Sequence, residues 1–118
     1  MLPTANQLKK KKDFERVFKK GKGVKEDFLY LKVAPNDLKV SRFGFVTSKK
    51  FSANATARNK TKRRLRELVK ANLPDIKKGI DAVIVAMPGL KINDFWELEP
   101  LIQSLCKKAG IINIKDRS

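Results

Sequence analysis

The sequence predicts one α+β domain, and the chain length, the apolar content and the hydrophobic spacing all indicate that class. The chain has 118 residues, the usual length of a single domain, and 42% of them are hydrophobic, which is enough for one modest core. Apolar residues recur with helical spacing in some segments and alternate or run continuously in others. These segments are predicted to be helix, strand, strand, helix, strand and helix, so residues 1–118 are expected to form one unit of packed layers.

The first helix is predicted to be short and to follow an extended arm. Pro3 disfavours an early helix, so residues 1–8 are expected to be the arm. Asp13 can cap a helix over residues 14–20, and Gly21 can end it.

Two strands are predicted after this helix. Residues 22–27 are expected to be a charged loop, and residues 28–33 predict a strand that ends at the turn-forming residues 35–37. Residues 40–47 predict a second strand. Because the turn between the two strands is short, they are expected to pair as an antiparallel hairpin within a mostly antiparallel sheet.

The second half of the chain predicts a long helix and a buried strand. After a polar loop at residues 51–56, the apolar residues adopt helical spacing over residues 57–73, and Pro74 marks the end of that helix. Its apolar stripe consists of Thr61, Leu65, Leu68 and Val69. The apolar run at residues 80–87 is typical of a central strand.

A last helix is predicted from a cap at Asn93 to about residue 108. Its inner face is expected to carry Phe95, Leu98, Ile102 and Leu105. Cys106 lies on the same helix and is interpreted as a small buried hydrophobe, not as a nucleophile. Residues 109–118 are expected to be a frayed tail.

The composition excludes several classes of function. With no histidine and one cysteine, the chain lacks the usual zinc ligand sets, Ser-His and Cys-His nucleophilic sites, and an internal disulfide. No apolar run approaches the roughly 18 residues of a membrane span, and no secretory leader opens the chain. A cytoplasmic protein without a metal site of its own is therefore expected.

The charge of the chain is strongly positive and unevenly placed. Its 28 Lys and Arg against 12 Asp and Glu give a net charge of +16. Residues 1–70 hold 21 basic and 6 acidic residues, whereas residues 71–118 hold 7 and 6. Two dense blocks, at residues 9–22 and 58–70, carry most of the excess. Like charges this close repel each other and cost folding stability, so two such blocks indicate a role in binding phosphates more than a surface that only faces solvent. Nucleic acid is therefore the expected partner.

The basic block on the long helix forms a band beside its apolar stripe. Arg58, Lys62 and Arg66 are four residues apart and therefore form a column, with Asn59 and Arg63 next to it. Arginine matches phosphate geometry better than lysine, which indicates specific contacts as well as a diffuse field.

The first strand separates two kinds of side chain. Leu29 and its alternating neighbours face a core, whereas Phe28, Tyr30 and Lys32 face the other side. Two aromatic residues followed by a cation suit stacking on unpaired bases with a phosphate nearby. Alternatively, Phe14 and Phe18, four residues apart on the first helix, cover these aromatics as a small second core. Periodicity leaves the aromatic cleft and the second core both open.

Gly44 of the second strand lies on the same side as the polar positions of that strand. Because glycine has no side chain, it is expected to leave an open spot where a ligand backbone approaches closely.

The stretch at residues 41–67 resembles the protein subunit of bacterial ribonuclease P. The family pattern is Arg-x-Gly, a hydrophobic run, Ser-Lys-Lys and Arg-Asn-x-x-Lys-Arg-x-x-Arg. Here it appears as Arg42 and Gly44, Ser48-Lys49-Lys50, and Arg58-Asn59 with Lys62-Arg63 and Arg66. The first helix, with Phe14, Phe18 and Gly21, is also similar to that of the family.

This resemblance implies a role for each matching residue. Residues expected to bind the catalytic RNA are Arg58, Asn59, Lys62, Arg63, Arg66 and Lys50. Residues expected to line a cleft for the precursor's 5′ leader are Phe14, Phe18, Phe28, Tyr30, Arg42 and Lys49. No catalytic residue is expected in this chain. The implied fold is a two-layer α/β sandwich with a left-handed β-α-β crossover.

The resemblance also implies how the activity is divided. In this family an RNA subunit removes the 5′ leader from precursor tRNA, and Mg²⁺ ions bound by that RNA carry out the hydrolysis. The protein is expected to act as a monomer in a 1:1 ribonucleoprotein, with no membrane and no small-molecule substrate. The alternative is a ribosomal or other structural RNA-binding protein without a cleavage role. It would need the basic band but no accessible aromatic cleft.

Overall fold

The computed structural model describes residues 2–26, 28–47, 54–87 and 95–112, and these form three α-helices and four β-strands. The helices are α1 (Lys11–Lys20), α2 (Ala55–Asn72) and α3 (Phe95–Lys108). The strands are β1 (Lys22–Glu26), β2 (Leu29–Pro35), β3 (Arg42–Thr47) and β4 (Ile80–Ala86). The α+β class predicted from the sequence is confirmed.

The strands form one mixed sheet in the order β1-β2-β4-β3. The β1–β2 and β2–β4 pairs are antiparallel and the β3–β4 pair is parallel, so the sheet is mostly antiparallel, as predicted. The predicted hairpin between β2 and β3 is wrong, because β4 lies between them. An apolar strand such as β4 gains full cover only at the centre of a sheet with layers on both faces. β3, α2 and β4 form a β-α-β unit, whose left-handed sense stays a prediction.

The predicted charged loop at residues 22–27 is instead the edge strand β1, which pairs with β2 along Lys22–Glu26. An edge strand needs little apolar cover, and Val24 alone among its residues packs against the main core. Lysines on such a strand also hinder pairing with other chains. Because most residues of β1 are charged or glycine, its hydrophobic pattern does not predict a strand.

The helix ends differ in detail from the sequence expectation. α1 begins before Asp13, which lies in its first turn and does not cap it, and Gly21 ends it by donating its N–H to the Val17 carbonyl at 2.7 Å. α2 begins earlier than predicted because the Asn54 side chain accepts the N–H of Thr56 at 2.8 Å. A 3-10 turn at Leu73–Asp75 follows α2.

The main core lies between one face of the sheet and the helices α2 and α3. The predicted α2 stripe of Thr61, Leu65, Leu68 and Val69 is buried, as are Leu98, Ile102 and Leu105 of α3. Leu29 and Leu31 of β2 and Phe43 of β3 pack from the sheet side. Burial raises the pKa of the Cys106 thiol to about 12, which supports its interpretation as an inert hydrophobe.

Both ends of the described chain pack more closely than predicted. The expected arm contains a 3-10 turn at Thr4–Asn6, and Leu2 and Leu8 are buried. The N–H of Leu8 donates to the Phe43 carbonyl at 2.9 Å, so the arm follows the edge of the sheet. The frayed tail does not begin at residue 109, because Ile111 is buried and accepts a 2.6 Å hydrogen bond from the Lys77 N–H. Residues 113–118 lie outside the described residues.

Candidate RNA interface

The second face of the sheet, here called the open face, is covered only in part by α1. Strand alternation places on it three residues each from β2, β3 and β4. They are Tyr30, Lys32 and Ala34, then Arg42, Gly44 and Val46, then Asp81, Val83 and Val85. Beneath α1, Val17, Ala34 and Val83 are buried with Leu8 in a second, smaller core.

A row of half-buried side chains crosses the uncovered part of the open face. Val46 of β3 pairs with Val85 of β4, and Val85 pairs with Tyr30 of β2. All three are half-buried. They form an apolar floor beside α1 that ends in one phenol group.

Phe14 occupies the spot that Gly44 was expected to leave open. A Cβ added at Gly44 would lie 2.4 Å from two Phe14 ring carbons, so the ring rests directly on the glycine backbone. The expectation of a free spot for a ligand at Gly44 is therefore wrong, because the Phe14 ring of α1 fills that space. Phe14 is half-buried and packs against the second core.

The other aromatic residues of the predicted cleft are more accessible. Phe18, one turn after Phe14, is 39% exposed, and Phe28 at the start of β2 is 43% exposed. Lys32, on the same face as Tyr30, donates from its ammonium group to the Phe18 carbonyl and so joins the end of α1 to β2. Phe14 therefore packs in a small second core, as one of the two interpretations expected. Phe18 and Phe28 are exposed and Tyr30 is half-buried. These three residues are the described aromatic part of the predicted aromatic cleft, whose role in leader binding stays a prediction.

Arg42 lies at the opposite end of the open face, in an ion-pair cluster around the buried Asp81. Its Nε donates to Asp81 Oδ1 at 2.8 Å and its Nη2 to Asp81 Oδ2 at 2.6 Å. Arg16 of α1 also binds Oδ2, and the Asn36 amide donates to Oδ1 at 2.8 Å. The cluster therefore fastens α1 to both β3 and β4.

The electrostatics of Asp81 follow from these partners. Burial opposes ionisation, but the hydrogen bonds from Arg42 and Asn36 and the charges of Arg42 and Arg16 outweigh it, so the pKa of Asp81 is lowered. Arg42 is thus engaged in positioning α1, and its contact with a leader stays a prediction. Sequence reasoning missed Asp81, although an acid within an apolar strand requires a buried partner.

The predicted basic band lies on α2, at the seam between that helix and the sheet. Arg58, Lys62 and Arg66 are half-buried, whereas Asn59 and Arg63 are exposed. The Arg66 guanidinium lies over the Phe45 ring, 5.7 Å from its centroid, which holds this cation against β3. Lys49 and Lys50 lie outside the described residues, between β3 and α2 in the chain.

The described residues contain neither a metal-binding cluster nor a membrane span. No group of three or more His, Cys, Asp or Glu side chains among them is placed to hold a metal ion. None of the helices described is long and apolar enough to cross a membrane.

Comparison with known proteins decides the family. The family model for ribonuclease P matches residues 2–110. The ribonuclease P protein component of Clostridium botulinum strain 657 is 36% identical over 92% of this chain and 97% of its own length.

The chain belongs to the ribonuclease P protein family.

Solved structures from the family share this fold. The ribonuclease P protein of Staphylococcus aureus superimposes with a TM-score of 0.84 at 30% identity, over 93% of this chain and 100% of that one. The protein from Thermotoga maritima, solved in complex with 1-(4-fluorophenyl)-2-thiourea, has a TM-score of 0.80 at 34% identity, over 86% and 98%.

Family membership establishes the general activity. The chain is a subunit of the ribonuclease P ribonucleoprotein, an endoribonuclease that matures the 5′ ends of tRNA, and RNA is its partner. Family membership therefore favours a ribonuclease P subunit over a structural RNA-binding protein without a cleavage role.

Proposed function

We propose that this chain binds the RNA subunit of ribonuclease P through the basic band of α2 and binds the 5′ leader of precursor tRNA in the aromatic cleft. The observation that carries this division is the open face, where Tyr30, Val85 and Val46 lie in one half-buried row and the rings of Phe18 and Phe28 are exposed. One chain acts with one RNA in the cytoplasm.

The cleft has the chemistry that a single strand requires. Unpaired bases stack on aromatic side chains, and such stacking depends little on sequence because every base has a π face. A leader differs in sequence from one precursor to the next, so a sequence-tolerant surface suits it. Lys25, which pairs with Tyr30, is exposed on this face and can bind the phosphates. Lys32, on the other side of Tyr30, adds positive charge while its ammonium group donates to the Phe18 carbonyl.

The basic band of α2 has the chemistry that a folded RNA requires. Arg63 is exposed, while Arg66 and Lys62 are half-buried at the helix–sheet seam, so the cations project from a rigid surface. Guanidinium groups held in this way bind phosphates with defined geometry. This chain thus binds and orients the RNA subunit and the precursor, and Mg²⁺ held by the RNA subunit supplies the hydrolytic chemistry.

The test is cleavage of a precursor tRNA by a bacterial ribonuclease P RNA at low magnesium, with and without this protein. The protein is expected to restore removal of the 5′ leader. If it binds several such RNAs and restores cleavage with none of them, the proposed role in leader removal is wrong and structural RNA binding replaces it.

The residue assignment on α2 is tested by the double variant Arg63→Ala, Arg66→Ala. We expect weaker assembly with the RNA subunit and a salt slope of log K reduced by about 0.9 for each phosphate that the variant no longer binds. The matched control is Lys78→Ala, Lys107→Ala, which removes the same charge from exposed positions away from α2. Equal weakening in both double variants would show a diffuse field without a specific band.

A further inference from the structure

A cavity of about 510 Å³ lies on the α3 side of the sheet, at the end where α3 stops. Its floor is apolar and consists of Val24, Val33, Ile80 and Ile111. Val24 and Val33 pack against the main core, and Ile80 and Ile111 belong to it. The cavity has a volume typical of small-ligand sites and is separate from both the basic band and the aromatic cleft.

Four lysines from four different segments converge on the rim of this cavity: Lys20, Lys22, Lys77 and Lys108. Lys108 is paired with the Glu26 carboxylate, and this bond lowers the pKa of Glu26. Within the described residues, the side chains of Lys20, Lys22 and Lys77 make no ion pair or hydrogen bond. Three uncompensated cations around an apolar floor suit a ligand that joins negative charge to an apolar body.

The cavity and the aromatic cleft meet across the backbone of β1. Gly23 lines the cavity, and on the open face the Tyr30 ring lies over the same residue, since a Cβ at Gly23 would be 2.1 Å from the Tyr30 hydroxyl oxygen. Lys25, which pairs with Tyr30, is exposed beside it. A strand that leaves the cleft past Tyr30 therefore reaches the cavity by turning over the β1 edge.

We propose that this cavity binds one nucleotide of single-stranded RNA, on the 5′ side of the leader segment held in the cleft. The base lies against the apolar floor, and the adjoining phosphates bind Lys20, Lys22 and Lys77. The cavity is a second leader site on the opposite face of the sheet. The choice of the leader as the strand rests on the proposed function of the cleft.

Protection of the sheet edge explains fewer of these observations. Lysines on an edge strand hinder aggregation, which accounts for Lys22 and Lys25. Lys20 and Lys77 do not lie on β1, yet both line the same cavity. A nucleotide site accounts for all of them and assigns a role to the end of the basic block at residues 9–22.

The test is the affinity of the assembled holoenzyme for precursor tRNAs whose leaders are lengthened one nucleotide at a time. The wild-type protein is expected to gain affinity when the leader fills the cleft and again when it reaches the cavity. Lys22→Ala, Lys77→Ala is expected to lose only the second gain, with the salt slope for long leaders reduced by about 0.7 for each phosphate that these lysines no longer bind. The control Lys78→Ala, Lys107→Ala keeps both gains. Losses that are equal at every leader length, or equal in the two double variants, would overturn the proposal.

The apolar floor is tested separately by Ala109→Leu, which narrows the cavity without a change of charge. This variant is expected to lose the second gain and to keep the wild-type salt slope, with an unchanged thermal unfolding midpoint of the free protein. Retention of the second gain would contradict binding of the base in the cavity.

Two further measurements separate this proposal from its alternatives. Phe18→Ala tests the cleft alone. If this variant keeps the wild-type affinity for leader-containing precursor while Lys22→Ala, Lys77→Ala still loses the second gain in affinity, the cleft assignment fails and the cavity site stands. AMP titrated into the free protein tests a free nucleotide as ligand. Binding of AMP that the lysine variant abolishes, with no leader-length effect, would overturn the assignment to an RNA strand.

Discussion

The two faces of the sheet are built from the same strands, yet they differ in what covers them. On the α2–α3 face, Leu29 and Leu31 of β2 are fully buried beneath the helices. On the open face, α1 buries one end, while Phe18 and Phe28 remain 39% and 43% exposed. The alternation of a strand decides which side a residue faces, but the helices decide whether that side is core or binding surface.

The difference also shows in the kind of interaction that holds each helix. α2 and α3 are held by apolar burial, whereas α1 is held by a small core around Val17 together with the ion pairs of Asp81. We infer that apolar burial on the first face contributes most of the stability of the domain, whereas the ion pairs of Asp81 on the open face position α1.

The largest expected effect is on the α2–α3 face. Leu65→Ala removes a fully buried side chain and is expected to lower the free energy of unfolding by about 4 kcal/mol. Val85→Ala, on the half-buried floor of the open face, is expected to cost about 1 kcal/mol. Urea unfolding measures both, and similar losses would show that the open face is as much a core as the other.

Next in size is the loss of the Asp81 carboxylate. Asp81→Ala leaves Arg16 and Arg42 without their partner, and breaking such a buried pair costs about 3 kcal/mol at the lower end of its range. The lower end applies because the two arginine side chains are 32% and 23% exposed. Urea unfolding again gives the value.

The control for that experiment is Asp37→Ala, which removes an exposed acid from the turn between β2 and β3 and should change the stability little. An Asp81 variant as stable as this control would show that the ion pairs do not fasten α1.

The elements with strong apolar patterns were predictable from the sequence. The apolar stripe of α2 has helical spacing and β4 is an apolar run bounded by turn residues, and the structure confirms both elements. The strand β1 was missed because an edge strand with one apolar contact carries no such pattern. The β2–β3 hairpin was wrong because a short connection suggests pairing, whereas the position of β4 depends on burial across the whole sheet.

The candidate site was predictable only in its components. Phe14, Phe18 and Tyr30 could be placed on the correct elements, but whether an aromatic ring is core or surface depends on the length and position of α1 over the sheet. Phe14 filling the space above Gly44 is a contact between elements that no local spacing contains. For the same reason, the bond between Arg42 and Asp81 was not visible in a sequence that separates the two by the whole of α2.

The two aromatic residues of α1 offer a smaller effect that separates fold from function. Phe18→Ala is expected to weaken binding of leader-containing precursor by about 1 kcal/mol, the lower end for a lost base stack, without change for leaderless tRNA. Phe14→Ala should weaken both leader binding and the folded state, because its ring also packs against the second core. Holoenzyme affinity for the two substrates, together with urea unfolding, distinguishes the variants. A Phe18 variant that loses stability but not leader affinity would place this ring in the core.

The smallest effect is the acid sensitivity of the open face. Because the pKa of Asp81 is lowered in the folded state, its contribution to stability is complete above the unfolded pKa of about 3.9 and is lost as the pH falls through the folded value. Asp81→Asn lacks that titration, so the unfolding free energy of the wild-type protein should fall more steeply below about pH 4 than that of the variant. Parallel pH profiles would mean that the carboxylate has the same pKa in the folded and unfolded chains. In that case the arginines would not hold it ionised, and α1 would be held on the sheet by apolar packing around Val17 and by the bond from Lys32 to the Phe18 carbonyl.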